Sequence, residues 1–526
     1  MIKFGIQKGM KVVLIMSLLA ISLPACKNDP ADPSLLPSGI SLTNSIYYHI
    51  DLEDKKGDSF KVTGYFEGLS ESNSVYQFPA VVPGTYNISD IGRFVQNFRA
   101  FDAQGNEIGS SQISTNQWEF SSPADLFSIT YEVLDIWDNP VSENPLYRMG
   151  ATSLEADHAL INFFGVLGYP VGMKNRQYLV SISKPKSWIS GTSLELYKPN
   201  IYTAESYDKL VDSPLLTGLL TQSEVEVDNA LIGIYVYSAA STIAADDIEP
   251  GLQSIIQDAS VFLSELPVDR YSFIFHFEDQ LAGALEHSLS SVYVFRDRTI
   301  SDSYLSLIKS TAAHEFFHIV TPLNIHSEII ADFNFAEATP SAHLWLYEGV
   351  TEWASDIMQY RNGSMDLNVL LSELSSKYSV YDRFDKEITL EEISLTSYTP
   401  EGNEQFINVY NHGALVAYML DLHLLDLSNG SYGLRELILD LIEQYGPDRS
   451  FDDKQFFDVV VDMTYPEVET FINDYIRGSK QLNINEYFNK IGIEHLDETN
   501  TFHLIETPSE HQSNLMTVWS SNLEVN

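Results

Sequence analysis

The sequence predicts a multidomain α+β protein: an N-terminal β-sandwich domain, a mixed α/β domain after it, and a helical C-terminal part. Three observations predict this. The chain has 526 residues, 44% of them hydrophobic and 12% aromatic, enough apolar material for two or three separate cores. Residues 40–200 carry short alternating runs broken by turn residues, with no long stretch of helical period between them. From residue 201 strand-like runs alternate with helical stripes, and residues 396–526 read as a mainly helical continuation.

The first 25 residues are a targeting segment. Lys3, Lys8 and Lys11 precede the apolar run "VVLIMSLLAISL", which ends in "LPAC". A short apolar run followed by small residues is a secretory signal, too short to be a membrane span. The "LPAC" ending resembles a bacterial lipobox, which implies cleavage before Cys26 and lipidation of its thiol and new amino group. The expected place is therefore the bacterial cell envelope, with the protein held to a membrane by lipid. No later segment approaches 18 continuous apolar residues. Cys26 is the only cysteine, so once acylated it leaves no internal disulfide. Residues 26–39, with the run "KNDPADPSLLPSG", read as a polar, proline-stiffened tether.

Within 40–200, "SIYYHIDL", "SFKVTGYF", "FSITYEVLDIW" and "QYLVSIS" are rich in β-branched and aromatic residues. They predict the strands of a sandwich. Pro83-Gly84 marks a turn inside this region. Within 201–395, "EVEVDNALIGIYVY" and "YSFIFHF" predict strands, and "LQSIIQDASVFLSEL" places Leu252, Ile255, Ile256, Ala259 and Phe262 on one helical face. His276 alternates with aromatics and reads as a packed or surface residue, since no partner lies at ligand spacing. "AGALEHSLSSVYVF" predicts an edge strand. Ser301 and Asp302 are good helix-capping types, and a helix beginning there carries Tyr304, Leu307, Ile308 and Thr311 as its stripe.

Charge narrows the function classes. There are 73 acidic against 30 basic residues, a formal net charge of −43, which repels phosphate backbones and excludes nucleic acid as a partner. The acidic residues form no long block, so most of them read as a dispersed, solvated surface.

The predicted helix ends in His314-Glu315-Phe316-Phe317-His318. Residues at i and i+4 share one helical face, so both imidazoles can reach one ion. Zn2+ takes neutral imidazole nitrogens, and a catalytic site keeps one position open for water, so a third protein ligand is required. Glu315 would stand beside that water as general base. A continuation HExxHxxGxxH is ruled out, because Thr321 and Asn324 occupy the glycine and histidine positions. Glu328, Glu337 and Glu348 remain as third-ligand candidates. Glu337 has eighteen residues between it and His318, the spacing of the alanyl aminopeptidase family, but "FNFAEATPS" around it shows no helical stripe. Glu348 lies in "PSAHLWLYEGVTEWASDIMQYRNG", where Pro340 suits a first helical position and Asn362-Gly363 a stop. Packed helices hold ligands better than loops, which favours Glu348. Glu352, one turn on, either orients a ligand histidine or faces solvent. His326 and His343 read as surface or supporting residues, not ligands.

"HEFFH" followed by "LWLYEGVTEW" resembles the glycyl aminopeptidase family of gluzincin zinc metallopeptidases, with its HExxH and W-x-x-E-G-x-T signatures. Other segments resemble it in the same order: "VVPGTYNISDIGRFVQNF" its P-G-x-Y segment, "LVDSPLLTG" its domain junction, "GALEHS" its G-G-L-E-H strand, and "YNHGALVAYMLDLHLL" a helix near its C-terminus. "FINDYIRGSKQLNINEYFNKIGI" resembles its closing helices. The match spans roughly residues 75–493.

The resemblance implies a thermolysin-like fold for 201–395, with 396–526 completing the catalytic region. It implies one Zn2+ held by His314, His318 and Glu348, with Glu315 as general base. Tyr410 matches a tyrosine that supports the tetrahedral oxyanion. Glu286 matches a glutamate that grips the substrate's free ammonium, with Gly283 and Ala284 beside it on the substrate strand. The implied activity is removal of small N-terminal residues, Gly or Ala, from peptides. A zinc endopeptidase and a non-catalytic peptide-binding lipoprotein are the alternatives. The chain departs from the family in His412, where lysine is usual, in Ala284, where glycine is usual, and in having about thirty residues after "NKIGI", too few for the family's PDZ domain. The sequence carries no signal for membrane face or oligomeric state.

Overall fold

Alternation of large apolar side chains builds the N-terminal part. In strand Ser45–Asp51, Ile46, Tyr48 and Ile50 point into the main N-terminal core, while Tyr47 points the other way and packs with Tyr65, Leu179 and Ile201. The computed structural model describes residues 32–54 and 57–523. The signal segment, Cys26 and the first part of the tether lie outside the described residues. Among those described, eight strands form one sheet running from Glu195–Lys198 to Glu107–Ile108, accompanied by two four-stranded sheets. Most pairs are antiparallel, but Ser45–Asp51 runs parallel to Gln177–Ser183.

These sheets extend beyond residue 200. Ile201–Ala204 pairs with Gln177–Ser183, and Leu215–Gly218 pairs with His158–Ile161. The division drawn at residue 200 therefore cuts through paired strands, and ladder hydrogen bonding carries the N-terminal β-rich part to Gly218.

A five-stranded sheet follows, in the spatial order Thr221–Val227, Ala230–Ser238, Arg270–Glu278, Ser290–Arg296, Gly283–His287. "AGALEHSLSSVYVF" is thus a hairpin, and only its first arm, Gly283–His287, is an edge. Helix Ala245–Leu263 buries Leu252, Ile255, Ile256, Ala259 and Phe262 together, as its period predicts. His276 is buried in its strand and shares a 2.8 Å hydrogen bond with His158.

The motif helix, Asp302–Phe317, begins at Ser301, whose hydroxyl accepts from the Tyr304 amide. Its buried stripe is Tyr304, Ile308 and Ala312 at i, i+4 and i+8, whereas Leu307 is 38% exposed and Thr311 half-buried. The buried seam is narrower than the predicted stripe, and most of the helix's neighbours are the helices Ala245–Leu263 and Thr351–Asn362. The next helical segment starts later than Pro340 suggests. Asp453 holds residues 341–343 out of helix: its carboxylate accepts from Ser341 and the Ala342 amide, and its carbonyl accepts from His343 Nε2 at 2.7 Å. The chain then enters a π-helical turn, Trp345–Val350, followed by α-helix Thr351–Asn362, and Gly363 ends it at φ 81° as expected.

The long helix Pro400–Leu427 crosses the π-turn at glycines. A Cβ on Gly349 would lie 2.6 Å from the Gly413 Cα, and one on Gly413 2.8 Å from the Gly349 Cα. Only hydrogen fits between the backbones there. The last described residues also pack onto the helical region: a hairpin, Ile493–Leu496 with Thr501–Leu504, leads to helix Glu510–Trp519. Trp519 is fully buried and its carbonyl accepts from Arg361 Nε at 2.9 Å. Phe333 and Phe335 insert from the helical side into the N-terminal core, and the Phe335 carbonyl accepts from the Ala80 amide at 2.7 Å.

Gly413→Ala should force the two helices apart. Overpacking of this kind costs roughly 1–3 kcal/mol, measurable as a lowered thermal midpoint, with weakened zinc retention because the π-turn must move.

Candidate active site

The π-turn, the motif helix and the long helix converge on one buried cluster. His314 closes the motif helix and His318 is its C-cap, so both rings leave the same face. Glu348 Oε2 lies 3.4 Å from His314 Nε2 and 3.7 Å from His318 Nε2. All three ligand atoms lie within 4.8 Å of one another, and all three residues are buried. Bonds of 2.0–2.1 Å at the tetrahedral angle put neighbouring donor atoms about 3.3 Å apart, so the cluster has the span Zn2+ needs.

The opposite ring nitrogens are committed elsewhere. His314 Nδ1 donates to Glu352 Oε2 at 2.8 Å, and His318 Nδ1 donates to the Thr321 carbonyl at 2.8 Å. Each bond engages Nδ1 and leaves Nε2 turned toward Glu348, the nitrogen a metal would take. Glu352 therefore meets a ligand histidine while its side chain stays partly exposed. Its other oxygen pairs with Lys377 at 2.7 Å, and Lys377 pairs again with Asp356 at 2.9 Å. Burial raises the Glu352 carboxyl, but the Lys377 ammonium outweighs it and holds that carboxyl low. A zinc ion fits this donor set: two imidazole Nε2 atoms turned toward one carboxylate oxygen, in a buried, hydrogen-bonded surround.

Glu286, Glu315, Ala284, Gly84 and Tyr410 are among the residues that line the same cavity, of about 270 Å³. Burial, helped by the Glu348 charge against the pull of His314, pushes the Glu315 carboxyl up to about 7. Glu286, Glu315 and His318 each place a donor atom within 4.8 Å of the others. Burial also pushes Glu286 well above the carboxylate range, with the Glu348 and Glu315 charges adding to it. Tyr410, on the long helix, packs its ring 5.5 Å from His314 and 5.6 Å from Phe406. Burial and the carboxylates of Glu348, Glu286 and Glu315 hold its phenol protonated. Gly283 takes φ 130°, and a Cβ there would lie 3.3 Å from Met149 Cε.

The other candidates stay apart. Glu337 is exposed in a loop. Glu328 accepts from the Asp453 amide at 2.8 Å. His326 and His343 are buried, not on the surface; His343 sits among Phe451, Phe456 and Phe457. His412 lies 4.9 Å from the Tyr381 ring, with Nδ1 buried and unpaired. Sequence reasoning missed Lys377 and Tyr86. Lys377 gave no signal, since a lysine on an amphipathic helix is unexceptional. Tyr86 did, as the last residue of the P-G-x-Y segment: its hydroxyl donates to Glu348 Oε1 at 3.0 Å.

Two family models match the chain: the Peptidase M61 N-terminal domain over residues 47–219 and M61 glycyl aminopeptidase over residues 308–416. No curated protein matches. Among solved structures, an aminopeptidase N family protein from Idiomarina loihiensis superposes with a TM-score of 0.75 at 22% identity, covering 85% of this chain and 78% of that one. The M1 zinc metallopeptidase from Deinococcus radiodurans superposes at 0.51 with 14% identity, covering 87% of this chain and 98% of that one. A point mutant of that enzyme bound to a Tyr-Ser-Ala substrate superposes at 0.51, again with 14% identity, over 86% and 98%. At these identities the likeness establishes the fold.

Burial holds His412 neutral down to about pH 3, whereas an unfolded histidine protonates near 6.5. Its contribution to stability is thus complete above pH 6.5 and is lost as pH falls from 6.5 toward 3. The unfolding free energy from urea titrations should fall over that window, by up to about 1.4 kcal/mol per pH unit from this one site, and His412→Gln should flatten part of the fall.

Proposed function

The chain belongs to the M61 glycyl aminopeptidase family and is a zinc metallopeptidase; from that premise we propose that it is an exopeptidase that removes small residues from the free N-terminus of peptides. The observation that carries this reading is the closure of the cavity beside Glu286. The Pro83-Gly84 turn of the N-terminal part packs directly on that carboxylate: a Cβ on Gly84 would lie 2.5 Å from Glu286 Oε1. A peptide lying along the edge strand Gly283–His287 meets a carboxylate with backbone behind it. A free ammonium fits there as an ion pair, and an acylated nitrogen carrying further residues does not. Gly84, Gly150 and Ala284 line the cavity on the Glu286 side, which suits Gly or Ala there.

In this reading Zn2+, when bound by His314, His318 and Glu348, supplies Lewis acidity toward a water and a carbonyl. Glu315 takes the proton from the attacking water and delivers it to the departing amine; a carboxyl with a pKa near neutrality can do both. The Tyr410 hydroxyl donates to the developing oxyanion without losing its own proton. Glu286 fixes the ammonium and so sets the register of the scissile bond. Glu352, held by Lys377, keeps His314 in the ligand tautomer.

One observation favours an endopeptidase. A second cavity, of about 370 Å³ and lined by Phe164, Phe333 and Phe335, meets Glu286 from its far side. Pro83 faces that cavity and Gly84 faces the metal cluster, so the turn and Glu286 form the partition between them.

Turnover of Gly- and Ala-anilides beside their N-acetylated forms separates the two readings. The exopeptidase should cleave only the free amines, and Glu286→Gln should lower kcat/KM by about 2–5 kcal/mol, roughly 30-fold or more. Glu315→Gln is the inactive control. Equal hydrolysis of acetylated and free substrates would overturn the assignment. We also propose that lipid on Cys26 holds the protein to a membrane of the cell envelope. No helix among the described residues is long and apolar enough to cross one. Cys26→Ser should move the protein from the membrane pellet to the soluble fraction, and an unchanged pellet would end that reading.

A further inference from the structure

We propose that Tyr86 is a positioning residue for the metal, supplied by the N-terminal β-rich part, which holds Glu348 to single-oxygen coordination. The two carboxylate oxygens of Glu348 have different partners. Oε2 faces both ligand imidazoles, at 3.4 and 3.7 Å. Oε1 accepts the Tyr86 hydroxyl at 3.0 Å, across 262 residues of sequence. A carboxylate free to turn can offer both oxygens to a metal and fill the position an attacking water needs. With Oε1 engaged by a phenol, only Oε2 is offered.

The local structure is built for this reach. Tyr86 ends the turn Pro83-Gly84-Thr85-Tyr86, in which Gly84 takes φ 74° and Tyr86 φ 45°. A tyrosine in the left-handed region is uncommon, and such conformations persist where surrounding contacts over-determine them. Those contacts are present: the ring packs 5.1 Å from Phe406 and 6.2 Å from Tyr398, both from the helical side. Phe406 is the same ring that supports Tyr410. The turn is anchored at its base by the isolated bridge between Val81 and Ile88 and by the Phe335 carbonyl on Ala80. One turn thus touches both functional carboxylates, Gly84 against Glu286 and Tyr86 against Glu348. The N-terminal part is a component of the metal centre as well as a flank of the cleft.

The test reads the metal and not turnover, so its result is independent of the exopeptidase reading. In the full-length protein, Tyr86→Phe keeps the ring and removes one hydroxyl. Zinc affinity by competition with a chromophoric chelator should fall roughly 10- to 100-fold, the usual effect of losing a hydrogen bond to a ligand. The visible spectrum of the cobalt-substituted protein should shift as Glu348 gains freedom to bind through both oxygens. The thermal midpoint of the metal-free protein should match that of the parent. Unchanged zinc affinity and cobalt spectrum would overturn the proposal. So would a loss of affinity accompanied by an equal destabilisation of the metal-free protein, which would make Tyr86 merely structural.

Discussion

The Glu348 carboxylate is the constraint on which the rest of the site depends. It must lie within ligand distance of two imidazoles on another helix, and it must do so while buried. Burial alone would drive it to the neutral acid; the histidines and the Tyr86 hydroxyl reverse that and hold it ionised. Its position is set by backbone as much as by side chains. The π-turn Trp345–Val350 places Glu348 and Glu352 on the same imidazole, one at each nitrogen of His314. An extra residue in the turn re-aims side chains in this way, which is why π-turns recur at functional sites. Gly349 lets the long helix approach until Tyr410 reaches the same cavity.

Charge is handled differently inside and outside. The exterior carries a large acidic excess that water and salt screen. Around the metal cluster burial weakens that screening, and several carboxylates have a specific partner. Glu348 has the histidines and Tyr86, and Glu352 and Asp356 share the buried Lys377. Tyr418 adds a hydrogen bond to Asp356 at 3.3 Å. Glu286 and Glu315 lack a lysine or arginine partner of that kind, and burial and their neighbours raise both carboxyls, as burial also raises Asp356. Glu286 and Glu315 face the cavity.

The two halves of the chain also divide the work at the cavity. The helical side contributes the ligands, Glu315 and Tyr410. The N-terminal part contributes the Pro83–Tyr86 turn, which closes one end and engages Glu348. Phe333 and Phe335, buried in the N-terminal core, pin the loop that follows the motif helix. A turn that must hold a 3.0 Å hydrogen bond to a buried ligand needs such a fixed base.

By itself the sequence determined the paired imidazoles, since His314 and His318 at i, i+4 are a local pattern that periodicity exposes; it favoured Glu348 over Glu328 and Glu337 for its place on a helical segment, and the packed chain brings that carboxylate to the two rings. It also determined the strands of the N-terminal part, because alternation over seven residues leaves little choice of face. Tertiary structure decided everything that depends on distant partners. The buried stripe of the motif helix runs through Tyr304, Ile308 and Ala312, with Leu307 and Thr311 off it, because helices Ala245–Leu263 and Thr351–Asn362 pack against that side. Residues 341–343 stayed out of helix because Asp453, more than a hundred residues on, holds their polar groups. His326 and His343 are interior because aromatic rings from residues 451–457 fold over His343 and the Phe451 amide meets the His326 carbonyl. Tyr86 and Lys377 joined the metal centre through hydrogen bonds spanning 262 and 25 residues, and neither has a periodicity to betray it. Local spacing encodes which atoms can share an ion; only the packed chain brings in the groups that keep those atoms charged, oriented and dry.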